Sequence, residues 1–451
     1  MAKVTFSNKA LVVRPLKASP PMGAVLVVLG LDRALPLLHG SQGCSAFTKV
    51  YFTRHFREPI AMQTTAMDQV TTVMGADANL IEALDTVLSK LHPEVVGVIT
   101  TGLSETEGVD LQRVLREFRT AHPQWRQVPV VGVNAPDYGG SLETGYAAAV
   151  EALVTALVPE GRRGGGASRR LNVLAGPSLT PGDALVLHEV AEQFELQACL
   201  LPDLGGGLDG HLSPDGFSPL SGGGSRVAAW ANAAEAALTL VVGRSLYKAA
   251  DLLRERSGVA DCRFEALTSL TAWDTLVMTL SRVSGRAVPQ RLRRQREQYL
   301  DALLDSHFLL SGTPVALAGD PDWVKGICDL LGEVGAVPVA VVSTGNSPVF
   351  TGLPCEQVVV GDLQDLQRLA GQGGAEVLIG NSHVADLAAE MGLPVMRAGY
   401  PVHDALGVFR RAWIGYPAMG EALFELANRV HQGRPRGVAP HVSALSATAF
   451  A

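Results

Sequence analysis

Cysteine is scarce here. The 451 residues hold five, Cys44, Cys199, Cys262, Cys328 and Cys355, and none is part of a C-x-x-C or C-x-x-H pair. An odd number at irregular spacing does not make a secreted disulfide framework. Nor is there a zinc pattern, because the eleven histidines are scattered and no H-E-x-x-H occurs. The chain also lacks G-x-x-x-x-G-K-[ST], which excludes a P-loop nucleotide site. A nicotinamide site has no support either: no glycine fingerprint is read at the end of a strand, and the run Gly222-Gly223-Gly224 lacks that context. Apolar runs stop short of the ~18 residues a membrane span needs. The N-terminal stretch Met1 to Lys9 has no signal-peptide apolar core. With a net charge of −7, nucleic acid and anionic membrane are poor partners. A cytoplasmic, soluble protein is expected.

What is present is ordinary globular material, 47% hydrophobic and 18% charged, with 48 glycines and 26 prolines to supply many short turns. The length allows about three domains. Nearly continuous apolar runs alternate with helical periodicity. Val95–Ile99, Pro129–Val133, Leu171–Ala175, Gln197–Leu201, Leu238–Val242, Pro314–Gly319, Val337–Val342, Gln357–Gly361 and Val377–Gly380 read as strands. Helices are expected over Asp77–Leu91, Asp110–Ala121 and Asp183–Phe194, with further helical packing over Val288–Leu310. Strands apolar on both faces and separated by helices form parallel sheets covered on both sides, so the fold class is α/β with three Rossmann-like domains. The division is 1–160 for the first unit, 161–170 for a glycine-rich charged linker, 171–312 and 313–433 for the second and third units, and 434–451 for an aperiodic tail. Leu204–Arg226, rich in Gly, Ser and Pro, reads as a long loop that is either functional or merely exposed.

The stretch with chemical promise is His39-Gly40-Ser41-Gln42-Gly43-Cys44, after the buried run Gly23–Leu31 and ahead of Phe47, Lys49, Tyr51, Phe52, Arg54, His55, Phe56 and Arg57. The segment places Cys44 in a loop between the glycines Gly40 and Gly43 on one side and the mixed polar-aromatic segment on the other, where a bulky group can approach the backbone. A thiolate beside backbone N–H groups suits an iron–sulfur cluster or zinc. A cube takes about four ligands, however, so one cysteine does not hold one. Either Cys44 is a packed apolar residue or its co-ligands come from another chain. His39, Gly40, Gly43, Ser45, Phe47 and Arg54 are the candidate supporting or interface residues. His39 orients the Cys44 loop or is simply packed, and the aromatic segment Phe47–Phe56 is either an exposed interface or a helix with its aromatics turned inward. Cys199, Cys262 and Cys328 read as core.

His39–Ile60, together with Thr100-Thr101-Gly102-Leu103-Ser104-Glu105, Gly319-Asp320-Pro321-Asp322 and Ile379-Gly380-Asn381-Ser382, resembles the nitrogenase component 1 family. The blocks run in family order along most of the chain. Where the family's catalytic beta subunit carries three cluster cysteines, the resemblance aligns Ser19, Cys44 and Gly102, so only the middle thiolate is kept. What this implies is a scaffold subunit for assembly of the iron-molybdenum cofactor, with a 4Fe-4S cluster at a subunit interface. Three cysteines would come from a NifE-like homologous partner and the fourth, Cys44, from this chain. The resemblance further implies a heterotetramer of two such pairs, a cofactor precursor held mainly by the partner, and work with the nitrogenase Fe protein. The alternatives are a catalytic beta-type subunit of nitrogenase, which Ser19 and Gly102 argue against, or of a dark-operative protochlorophyllide or chlorophyllide reductase, whose corresponding subunit typically offers a carboxylate at the Cys44 position. From a different class, a two-lobed solute- or metal-binding module would need no partner.

Overall fold

The computed structural model describes residues 2–9, 12–161, 168–212, 216 and 218–434. Most of the expected linker and the tail beyond Arg434 lie outside these residues.

Among the described residues fourteen strands form three sheets in which all pairings are parallel. In chain order they are β1 (Lys3–Phe6), β2 (Ala34–His39), β3 (Gln63–Thr64), β4 (Val95–Thr100), β5 (Val130–Val133), β6 (Arg170–Ala175), β7 (Gln197–Leu200), β8 (Leu238–Val242), β9 (Asp261–Phe264), β10 (Pro314–Gly319), β11 (Val337–Ser343), β12 (Gln357–Val360), β13 (Val377–Gly380) and β14 (Val395–Arg397). The sheet orders are β3-β2-β4-β5, β7-β6-β8-β9 and β1-β12-β11-β10-β13-β14. The three-sheet α/β architecture expected from the apolar runs is therefore present. Central strands such as β2 and β4 are buried along their whole length, as sheets covered on both faces require.

The first strand breaks the sequence order. Lys3–Phe6, grouped with the first unit by its position in the chain, pairs with Gln357–Val360 at the edge of the third sheet. The arm that follows is tied to the same unit. Lys9 bridges Asp362 and Asp365, and Arg14 bridges Glu390, before the chain enters the first unit at Ser19.

The run Gly23–Leu31 does not lead directly into the cysteine motif. Its core is helix α1 (Pro20–Leu29), started by two prolines, and the separate strand β2 delivers the chain to His39. All ten residues of α1 are buried, and the helix packs against the helix Leu142–Leu157. A Cβ on Gly23 would meet the Leu142 carbonyl oxygen at 1.9 Å, and one on Gly145 would meet the Pro20 oxygen at the same distance. Two glycines therefore let the helix backbones touch.

Two other sequence features resolve here. The stretch Leu204–Arg226 begins with a short helix, Leu204–Gly207, and later docks on the first unit: Ser221 Oγ donates to the Leu31 carbonyl, and Ser225 N donates to the Gly30 carbonyl. Residues 213–215 and 217 of this stretch lie outside the description. Within it, Gly205-Gly206-Gly207-Leu208-Asp209-Gly210 does satisfy G-x-G-x-x-G after β7, against the expectation of no such match. Its helix is four residues long, and the Asp203 carboxylate accepts the N–H groups of Gly205 and Gly206. A carboxylate of the chain itself thus occupies the position a phosphate would need.

Candidate cluster site at the end of the first sheet

Register builds this site. β2 and β4 pair with His39 opposite Thr100, so the two strand ends present His39-Gly40-Ser41 and Thr101-Gly102 side by side. Thr101 Oγ1 donates to the His39 carbonyl at 3.1 Å. A Cβ on Gly40 would lie 2.6 Å from Thr101 Oγ1, so the two turns can pack this closely only with glycine at position 40. The Gly40 amide donates to Thr65 Oγ1, and the Gly40 carbonyl accepts from Met67 N and Thr64 Oγ1. The turn is pinned on every side.

Cys44 is not in a loop. Helix α2 (Gln42–Phe56) begins directly after Ser41, and Cys44 is its third residue. The expectation failed because Gly43 and the polar Ser41-Gln42 pair look like turn residues, whereas they form a helix start. This position has a physical consequence. The first N–H groups of a helix lack intrahelical acceptors and carry partial positive charge, and no acidic residue sits in this first turn to offset it. Thr48 Oγ1 donates back to the Cys44 carbonyl at 2.9 Å, and Ser41 Oγ lies 3.4 Å from Cys44 Sγ.

Cys44 is half-buried and lines a cavity of about 340 Å³. Ser19, Met22, Leu38, Phe47, Tyr51 and Thr101 share its walls. Gly102 follows Thr101 and donates its N–H to Asp137, another lining residue, at 3.0 Å. Three positions far apart in sequence, Ser19, Cys44 and Thr101-Gly102, thus meet at one cavity. The remaining cysteines are elsewhere: Cys199 on β7, Cys262 on β9, Cys328 in the helix Pro321–Glu333 and Cys355 in a loop. Of the three read as core, Cys328 is fully buried, while Cys199 and Cys262 are half-buried on their strands. Among the described residues no group of three or more His, Cys, Asp or Glu is placed to hold a metal ion. A cluster held here would take Cys44 as one ligand and need its other ligands from outside the described residues.

The candidate supporting residues separate into groups. Gly40 shapes the turn, and Phe47, 70% exposed, stands at the cavity. Gly43 is exposed beside Cys44. Ser45 is buried on α2, as are Thr48, Phe52, His55 and Phe56. Arg54 points to the third unit, with Nη2 3.0 Å from His403 Nδ1. His39 lies beneath the site, fully buried, with Nδ1 3.0 Å from Thr65 Oγ1 and Nε2 without a partner among the described residues. Burial drives its pKa down to about 4, although Asp77 pulls the other way.

For the aromatic segment the structure selects the second of its two readings, a helix with Phe52 and Phe56 turned inward. Phe52 and Phe56 do not form an exposed surface; they pack with His55, Tyr400 and Phe409 at the contact with the third unit. Only Phe47 and Val50, 51% exposed, remain as large exposed apolar groups on α2. Residues of the cavity that the motif did not indicate, among them Lys17, Asp137, His383 and Tyr400, come from distant segments and carry no local signal.

A second, smaller cavity of about 70 Å³ lies where the three units meet, and Gly319-Asp320 and Asn381 at the ends of β10 and β13 line it. These are strand ends in the six-stranded sheet where ligands bind in open α/β folds. Leu16, Ala18 and Tyr400 form walls common to both cavities. No helix among the described residues is long and apolar enough to cross a membrane.

Comparison with known proteins places this geometry. Residues 19–431 match the family model described as nitrogenase component 1 type oxidoreductase. The chain is 41% identical over 432 residues to the nitrogenase iron-molybdenum cofactor biosynthesis protein NifN of Klebsiella pneumoniae, covering 96% of this chain and 94% of that one. It is 39% identical over 431 residues to the NifN of Bradyrhizobium diazoefficiens, covering 95% and 92%. Among solved structures, "Nitrogenase Cp1 at pH 6.5" superposes with a TM-score of 0.89 at 28% identity, covering 96% of each chain. The chain belongs to the nitrogenase component 1 family and, within it, to the NifN group.

Proposed function

We propose that this chain is a scaffold subunit on which the iron-molybdenum cofactor is assembled and matured, paired with a NifE-like homologous subunit in a heterotetramer of two pairs. Cys44 supplies one ligand to a 4Fe-4S cluster shared across the subunit interface. The observation that carries this reading is a lone thiol at the start of a helix, facing a cavity lined by Ser19 and Thr101, while the two other aligned positions, Ser19 and Gly102, offer no sulfur. The family's three-thiolate contribution is thereby reduced to one, too few for half of a larger cluster and enough for one corner of a cube.

The chain's own residues set the conditions at that corner. Thr48 and the pinned turn at Gly40 hold the Cys44 backbone in place. The N-terminal field of α2 stabilises negative charge on sulfur. The buried side chains of Met22 and Leu38 make one wall of the site apolar. A cluster bound there supplies one-electron storage. The precursor of the iron-molybdenum cofactor rests mainly on the partner, and electrons come through the nitrogenase Fe protein. No self-contained active site is assigned to this chain.

The test is Cys44→Ala in the pair co-expressed with its partner, read by iron analysis and electron paramagnetic resonance. Loss or lability of the interfacial cluster with an unchanged circular dichroism spectrum is expected, since a half-buried helix residue tolerates alanine. Unchanged iron and an unchanged signal would refute the ligand role.

A further inference from the structure

We propose that Ser41 is a positioning residue whose hydroxyl donates a hydrogen bond to Cys44 Sγ and raises the reduction potential of the cluster ligated there. The inference rests on the reading of Cys44 as a ligand. Its own basis is the geometry of the helix start. Ser41 is the N-cap of α2, yet its side chain accepts no N–H from the first turn. At some other helix starts of this chain the cap residue does accept, as Thr101 does from Ser104 N and Asn381 from His383 N and Val384 N, whereas Ser19 and Asp320 accept none. The Ser41 hydroxyl faces the sulfur instead, 3.4 Å away.

A metal-bound thiolate has no proton, so in the loaded site the hydroxyl must be the donor. A donor to a ligand sulfur stabilises the more negative, reduced state of the cluster more than the oxidised one, and the potential rises. The arrangement is preorganised. Gly40, the residue before Ser41, is fixed by Thr65, Met67, Thr64 and Thr101, and the Cys44 carbonyl is held by Thr48, so neither partner needs to be recruited when iron binds. The turned-away cap has a second effect. It leaves the first-turn N–H groups uncompensated by a side chain, which keeps their partial positive charge beside the sulfur.

The experiment uses the co-purified pair and a redox titration followed by electron paramagnetic resonance, with Ser41→Ala, Ser41→Gly, Ser41→Thr and Cys44→Ala in parallel. Glycine is included because it starts helices nearly as well as serine while lacking the hydroxyl, which guards against a folding defect in the alanine variant. Full iron with a potential shifted to more negative values is expected for Ser41→Ala and Ser41→Gly, and a potential close to the parent for Ser41→Thr. Loss of iron in Cys44→Ala together with an unmoved potential in both hydroxyl-less variants would overturn the role of Ser41 and leave Cys44 as a ligand. Iron loss in Ser41→Gly comparable to that in Cys44→Ala would also overturn it, by making Ser41 structural or itself a ligand. Retention of the cluster in Cys44→Ala would overturn both readings together.

Discussion

At the scale of single residues, the site depends on what surrounds one sulfur, and the buried imidazole beneath it has a consequence for stability. Burial lowers the pKa of His39 to about 4, from an ordinary value of 6.5. Below the ordinary value the unfolded chain takes up a proton that the folded chain refuses, so stability is lost as pH falls through this window, with a limiting slope of about 1.4 kcal/mol per pH unit. His55 is lowered to about 4 as well, by burial and by His403 against a bond to Val402, and acts in the same direction. Urea unfolding of His39→Gln and the parent at about pH 7 and about pH 5 isolates the first group. The parent should lose about 2 kcal/mol more than the variant between the two. Equal losses would show that His39 titrates normally. Cys44 was legible in the sequence as a candidate because a lone cysteine just after two glycines is conspicuous. Ser41 was not, since an O–H aimed at sulfur instead of a backbone N–H leaves no trace in residue type.

At the scale of elements, the three units are tied through helix starts. The Glu143 carboxyl, in the first turn of the helix Leu142–Leu157, accepts the N–H of Asp322 at 2.8 Å, and the Asp322 carboxyl accepts from Arg244 N, Ser245 N and Ser245 Oγ. One chain of bonds thus joins the first, third and second units. Burial raises the Glu143 pKa well above the carboxylate range, and Asp322 and Asp320 add to the effect. A carboxyl raised in this way binds its proton more tightly folded than unfolded, so its ionisation removes stability as pH rises above the ordinary carboxylate range. Glu143→Gln keeps an acceptor for Asp322 N and has nothing to ionise. Thermal melts from about pH 5 to about pH 9 should show a flatter alkaline decline for the variant and a higher Tm at the upper end. A variant that melts lower at every pH would mean that the carboxylate itself is required. How legible the elements were follows from their burial pattern. Strands such as β4, β8 and β10 read clearly because both their faces are apolar. Helix α1 did not read as a helix because all ten residues are buried, which removes the polar face that helical periodicity depends on, and β2 merges with it into one apolar stretch. β1 could not be inferred at all, since its partner lies at Gln357–Val360.

At the scale of the whole molecule, α/β class and three sheets followed from alternating strands and helices, but the closure of the chain on itself did not. The N-terminal arm begins on the third sheet, is held there by Lys9 with Asp362 and Asp365, and returns through Leu16 and Ala18, which line both cavities, to Ser19 at the cluster site. The cavity at Cys44 is thus assembled from the first and third units together, and among the described residues no group of three or more His, Cys, Asp or Glu is placed to hold a metal ion. On the proposed reading, in which Cys44 is one corner of a cube, the other ligands come from a partner. Two identical chains would bring one Cys44 each to a two-fold axis, half of the four ligands a cube uses. The most direct measurement is the iron content and native mass of the purified chain expressed alone and expressed with its NifE-like partner. The account predicts an iron-free or poorly soluble product alone, and a heterotetramer with about one cube per pair of chains when the partner is present. A stable, iron-loaded homo-oligomer from this chain by itself would contradict it.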